Sequence, residues 1–148
     1  MKKNTSFTLI SAVLGVVLVF SAGYANEQVP DTTAMNSKVY GQHTKSLVTF
    51  THKKHNVDYK IACAECHHVY KDGKSVWEEG DKVEKCGVCH SKDKPSREER
   101  KELSGAEKIK GYHYEAIHEN CKGCHKDLKK EGKPTGPISC SKCHPKER

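Results

Sequence analysis

The pentapeptide Cys-x-x-Cys-His occurs four times in this chain, as Cys63-Ala64-Glu65-Cys66-His67, Cys86-Gly87-Val88-Cys89-His90, Cys121-Lys122-Gly123-Cys124-His125 and Cys140-Ser141-Lys142-Cys143-His144. This is the attachment signature of a c-type haem. Positions i, i+3 and i+4 of one helical turn share a face, so both thiols and the imidazole of each copy point the same way. Two sulfurs can then bond the two vinyl groups on a haem edge while the imidazole reaches the iron from one side. The chain has eight cysteines, and the motifs use them all. Paired Cys-x-x-Cys knuckles also build zinc ribbons, and an even cysteine count in an exported chain also marks a disulfide framework. Neither requires a histidine directly after every pair. Four covalently bound c-type haems are expected, one each on Cys63/Cys66, Cys86/Cys89, Cys121/Cys124 and Cys140/Cys143.

The first residues fit an export signal over 1–25. Lys2 and Lys3 precede an apolar run at 9–20 broken only by Ser11 and Gly15, and Gly23-Tyr24-Ala25 supplies the small residues of a cleavage site. Residues 7–25 also approach the length of a membrane anchor, which is the alternative to cleavage. Export agrees with the cysteine usage, because an oxidising space requires eight thiols to be committed, and a periplasmic location follows. Residues 26–46 are polar and lack apolar periodicity, which predicts a mobile leader, with residues 47–148 as the haem-binding domain.

Charged residues make up 30% of the chain, and large aliphatic side chains are too few to fill a core of their own. The haems would supply it. Short α-helices and loops wrapped around four clustered haems are expected, with at most a small two-stranded β-sheet. About thirty residues per haem can wrap such plates without hiding them. The motifs start 23, 35 and 19 residues apart, which excludes a solenoid of equal units.

Residues 47–51 alternate as a short strand would and run into His52-Lys53-Lys54-His55. The doubled His67-His68 cannot serve one iron, since neighbours on a helix point about 100° apart. His68 is therefore spare or belongs to another haem. His43 stands alone in the leader and is expected to be solvated. The acidic stretch 77–84 is expected to be a solvated loop, and Ser96 with Glu99 forms a capping box opening a helix that Gly105 would stop. Residues 121–148 hold eight Lys or Arg against three Asp or Glu, whereas residues 26–120 hold sixteen of each. The basic excess lies around the last two motifs.

Each motif supplies one axial imidazole, His67, His90, His125 or His144. Six of the ten histidines remain for the four opposite positions, and the two methionines are poorly placed, Met1 in the signal and Met35 in the leader. Bis-histidine ligation is expected, which gives lower potentials than Met/His ligation. Iron ligated on both sides suits the movement of single electrons, so a carrier rather than an enzyme is expected. The alternatives are a direct reductase of metal ions or small oxyanions at an exposed haem edge, and a zinc-bound adaptor.

The order of these histidines resembles the class III cytochromes c, the tetrahaem cytochrome c3 family of sulfate-reducing and related anaerobic bacteria. The resemblance rests on Val48-Thr49-Phe50-Thr51-His52-Lys53-Lys54-His55, on the first motif with its doubled histidine, on Lys110-Gly111-Tyr112 with Ala116-Ile117-His118, and on the last two motifs. It implies a small multihaem cytochrome in which His52 completes the haem on Cys63/Cys66 and His55 that on Cys121/Cys124. By the same resemblance His68 completes the haem on Cys86/Cys89, His118 that on Cys140/Cys143, and Phe50 sits between haem planes. The chain departs from the family in having two residues between the cysteines of every motif and a short spacer between His118 and Cys121, so His113 stays a second candidate for the fourth site. The implied role is a periplasmic, low-potential relay of single electrons between a hydrogenase or other dehydrogenase and membrane redox complexes. Such partners would dock near the lysine-rich last quarter. No nucleic-acid partner is expected, and no stable membrane insertion if the signal is cleaved.

Overall fold

A computed structural model describes residues 30–146. The signal over 1–25 lies outside the described residues. Regular structure is sparse and short. Strand β1 (Thr33–Ala34) pairs antiparallel with β2 (Thr49–Phe50), and β3 (Tyr70–Lys71) with β4 (Lys74–Ser75). Two small sheets thus stand where one was expected. The second is a hairpin closed by Asp72 and Gly73 at φ 50° and 78°. Asp-Gly is the pair that such a left-handed two-residue turn favours, and it was the readable signal for this hairpin.

Among the described residues five α-helices follow: α1 (Glu99–Glu102), α2 (Gly105–Gly111), α3 (His113–His118), α4 (Cys124–Lys130) and α5 (Cys140–Cys143). The Ser96/Glu99 box forms, Ser96 N–H donating to Glu99 Oε2 at 2.7 Å and Glu99 N–H to Ser96 Oγ at 3.1 Å. The helix ends earlier than the sequence suggested. Leu103 turns extended, at φ −81° and ψ 140°, and Ser104 with Glu107 forms a second capping box. Gly105 therefore starts α2 instead of stopping α1.

A single extended residue, Tyr112, separates α2 from α3 and makes a parallel bridge to Lys92. Lys92 N–H donates to the Gly111 carbonyl at 3.2 Å and His113 N–H to the Lys92 carbonyl at 2.7 Å, tying the chain after the second motif to this kink. From α3 the chain runs through a π-turn (Glu119–Gly123) into α4. Gly132, at φ +69°, ends that run, with Lys133 N–H donating to the Leu128 carbonyl at 2.9 Å.

The polypeptide closes very little core. Trp77, Tyr112, His113 and Ala116 are buried, and no described side chain falls below 2% exposure. That follows from the shortage of aliphatic residues. Trp77 joins this small set, so the stretch predicted as a solvated loop is anchored at its first residue and exposed at Glu78, Glu79, Asp81 and Glu84. Residues 30–46, predicted to be mobile, are docked instead. β1 pairs with β2, Met35 N–H donates to the Val48 carbonyl at 2.8 Å, and Tyr40 reaches His113. Low hydrophobicity hid these contacts, because backbone pairing and a single tyrosine make them.

Candidate haem sites

Each motif forms the tight turn its spacing requires. The first two are 3-10 turns (Cys63–Glu65 and Cys86–Val88), the third spans the passage from the π-turn into α4, and the fourth is α5. The histidine N–H closes onto the first cysteine's carbonyl in three of them: 2.9 Å for His67 to Cys63, 2.9 Å for His90 to Cys86 and 2.7 Å for His144 to Cys140.

Eight histidines face one another in four pairs. Ring centres are 6.0 Å apart for His52 and His67, 6.3 Å for His55 and His125, 6.0 Å for His68 and His90, and 6.5 Å for His118 and His144. A metal bonded to two imidazole nitrogens at about 2 Å each, with each nitrogen about 1.1 Å from its ring centre, sets the centres about 6 Å apart. The donor sets fit an iron ligated on both sides. Every pair joins one motif histidine to one outside any motif.

Backbone carbonyls orient most of these rings. Nδ1 donates to the Thr51 carbonyl from His55 at 2.8 Å, to Ile109 from His90 at 2.8 Å and to Tyr114 from His118 at 2.7 Å. It donates to Pro137 from His125 at 2.9 Å and to Ser46 from His144 at 2.7 Å. A carbonyl only accepts, so the proton sits on Nδ1 and the Nε2 lone pair is left for metal. Burial, then the neighbouring His52 and His68, push the His67 pKa down, which favours its neutral form.

The two remaining histidines are differently engaged. His43 is half-buried with its Nε2 3.0 Å from Asn36 Oδ1, packed on Tyr40, where simple solvation was expected. His113 is buried and its Nδ1 lies 2.9 Å from the Tyr40 hydroxyl. Neither faces a motif imidazole.

Several contributors escaped the sequence reading. Gly136 lies against His125, where a Cβ would stand 2.7 Å from Nε2 and 2.9 Å from Nδ1. Ser46 belongs to the supposed leader yet orients His144, and its hydroxyl donates to the Pro145 carbonyl at 2.5 Å. Gly136-Pro137 was the available signal for a tight approach. Ser46 had none, since it acts through its backbone. Phe50 lies 5.5 Å from the His52 ring and 4.6 Å from the His55 ring, between the two distal imidazoles.

Zinc is a poor match. Among the described residues no three His, Cys, Asp or Glu side chains converge as a metal cage requires.

The model of the class III cytochrome C family matches residues 26–144. The chain belongs to that family. A cytochrome c3 of Desulfomicrobium norvegicum, named with a mass of 26 kDa, is 32% identical over 122 residues, covering 79% of this chain and 96% of the relative. The cytochrome c3 of Maridesulfovibrio salexigens is 33% identical over 125 residues, covering 80% and 97%. A cytochrome c7 of Geobacter metallireducens is 36% identical over 64 residues, 43% of this chain and 52% of that one. This class III cytochrome c binds four c-type haems covalently through its eight cysteines and is an electron-transfer protein.

Proposed function

We propose that this class III cytochrome is a periplasmic, low-potential carrier, relaying electrons between a hydrogenase or other dehydrogenase and membrane redox complexes. His67 and His52 would hold the iron of the first haem, His90 and His68 that of the second, His125 and His55 that of the third, and His144 and His118 that of the fourth. The four facing imidazole pairs, with ring centres 6.0–6.5 Å apart, carry this reading. When bound, each haem supplies a one-electron couple that two imidazoles keep at low potential.

The chain's own residues do the rest. The cysteines fix each haem edge, and the carbonyls of Thr51, Ile109, Tyr114, Pro137 and Ser46 hold five imidazoles in the Nε2-binding tautomer. An iron held by an imidazole from each side would offer no open position to oxygen, nitrite or peroxide, which favours transfer over reduction at the metal. Among the described residues no helix is long and apolar enough to cross a membrane.

The lysine-rich last quarter is the proposed docking side. Lys126 and Lys129 there lack an ion pair among the described residues, whereas Lys130 pairs with Asp127 and Lys133 with Glu131, each at 2.7 Å. Three measurements test the function together. The purified protein should weigh its processed chain plus four haems with no alkylatable thiol, show four low-spin bis-imidazole signals, and be reduced by a periplasmic hydrogenase under hydrogen. Failure of the last alone would remove the hydrogenase as donor and keep the ligand assignment.

A further inference from the structure

Helix α1 is fastened to the helix pair that carries His118. The Tyr112 hydroxyl donates to Glu99 Oε1 at 2.6 Å, and the next residue, Arg100, brings its guanidinium 2.8 Å from Glu115 Oε1 and 5.7 Å from the centre of the Tyr114 ring. That oxygen of Glu115 is shielded from water and has no hydrogen-bond partner among the described residues, so the Arg100 charge is what offsets its burial. Tyr114 in turn holds His118 twice. Its carbonyl accepts the Nδ1 proton at 2.7 Å, and its ring lies against the imidazole with centres 4.1 Å apart and a tilt of 36°. Among the described residues no other distal histidine has a phenyl or phenol ring so near: Phe50 lies 4.6 Å from His55, Tyr70 5.3 Å from His68 and Phe50 5.5 Å from His52. Tyr114 is 37% exposed, so burial alone does not fix its ring.

Partners behind a metal ligand set the orientation of its ring, and with it the electronic state of the metal. The planes of His118 and His144 stand at 35°. We propose that Arg100 is a positioning residue for the electron relay: by holding the Tyr114 ring and the Glu115 carboxylate together, it keeps His118 at this tilt and so tunes the haem on Cys140/Cys143 without touching iron. The proposal rests on the assignment of His118 and His144 to that haem. Arginine suits the task because a planar guanidinium can pair with a carboxylate and lie over an aromatic ring at once. Helix α1, charged at every residue, thus belongs to the surroundings of the fourth haem although it precedes even the third motif.

The test uses the four-haem protein. Arg100→Gln removes the guanidinium from a side chain that is 43% exposed, so the fold should survive it. Tyr114→Leu removes the ring and keeps the carbonyl, whereas Tyr114→Phe keeps both. The ferric low-spin electron paramagnetic resonance signal reports the angle between the two axial imidazole planes, and haem-resolved potentiometry followed by NMR gives the four potentials separately. The expected result in Arg100→Gln is a displaced low-spin signal and a shifted potential for the haem on Cys140/Cys143 alone. Tyr114→Leu should change both further, and Tyr114→Phe should match the parent. An unmoved low-spin signal in Arg100→Gln would overturn the proposal even if the unfolding temperature or the potential changed, because stability or bare charge would then be the whole effect. An equal shift of all four haems, or a change in Tyr114→Phe as large as in Tyr114→Leu, would overturn it too. If Tyr114→Leu does not fold, Arg100→Gln decides alone. Fewer than four bis-imidazole signals in the parent, or four in His118→Met, would instead overturn the ligand assignment.

Discussion

The rings of Phe50 and His55 lie 4.6 Å apart, tilted by 45°, and the His52 ring lies 5.5 Å from Phe50 as well. One aromatic side chain thus steadies the distal ligands proposed for two haems, those on Cys63/Cys66 and on Cys121/Cys124. Phe50→Ala should broaden or shift the NMR signals of these two haems and leave the other two unchanged. Phe50 is only half-buried, so the stability lost should be about 2 kcal/mol, below the 3–5 of a core phenylalanine. Thermal unfolding with haem-resolved NMR checks both.

His118 faces His144, whereas His113 turns to Tyr40. His118→Met should therefore convert one low-spin bis-imidazole signal, that of the haem on Cys140/Cys143. His113→Met should leave four such signals. Electron paramagnetic resonance of the two variants distinguishes them, and the reverse pattern would reassign the fourth site.

Gly136 passes so close to His125 that a methyl group would overlap the ring. Gly136→Ala should displace the loop or tilt the imidazole, at about 1–3 kcal/mol, with the third haem's spectrum perturbed first. Gly132→Ala is the control. Nothing lies within 4 Å of it, so its effect should come only from the positive φ at the end of α4 and leave that spectrum unchanged.

Lysines outside ion pairs should dominate steering by the basic end. Exposed pairs such as Lys130–Asp127 present little net charge to a partner. Changing Lys126 and Lys129 to Gln should slow low-salt reduction by an acidic donor about threefold to tenfold and flatten its salt dependence. Changing Lys130 and Lys133 should do less. Stopped-flow rates across ionic strength decide, and equal slopes in both pairs would remove local charge as the cause.

Acid should weaken the tie between α1 and the α2–α3 kink. The Tyr112 hydroxyl donates to Glu99 Oε1 at 2.6 Å, and this bond, with the Ser96 N–H, holds the Glu99 carboxyl below its usual range. A depressed carboxyl stabilises the fold above its unfolded value of about 4.3, and that contribution disappears as pH falls through the folded value. The same bond holds the Tyr112 hydroxyl above its usual range, so its contribution persists to about pH 10 and is lost above that. Tyr112→Phe should therefore cost most near neutrality, and the gap in denaturation midpoint from the parent should close towards pH 3.

The four haem attachments were legible in the sequence because covalent chemistry fixes local spacing. Two thiols and an imidazole must share one helical turn, and nothing distant alters that requirement. The Ser96/Glu99 box and the basic bias of residues 121–148 were legible for the same reason, being local or compositional. Which distal histidine meets which motif was not, since His55 and His125 are seventy residues apart and only the family resemblance suggested they meet. The docking of residues 30–46 depended on strand pairing, on the Ser46 carbonyl and on one tyrosine, none of which leaves a hydrophobic period to read. Tertiary structure decided these points because a chain with so few buried residues is organised by pairwise polar and aromatic contacts across long loops.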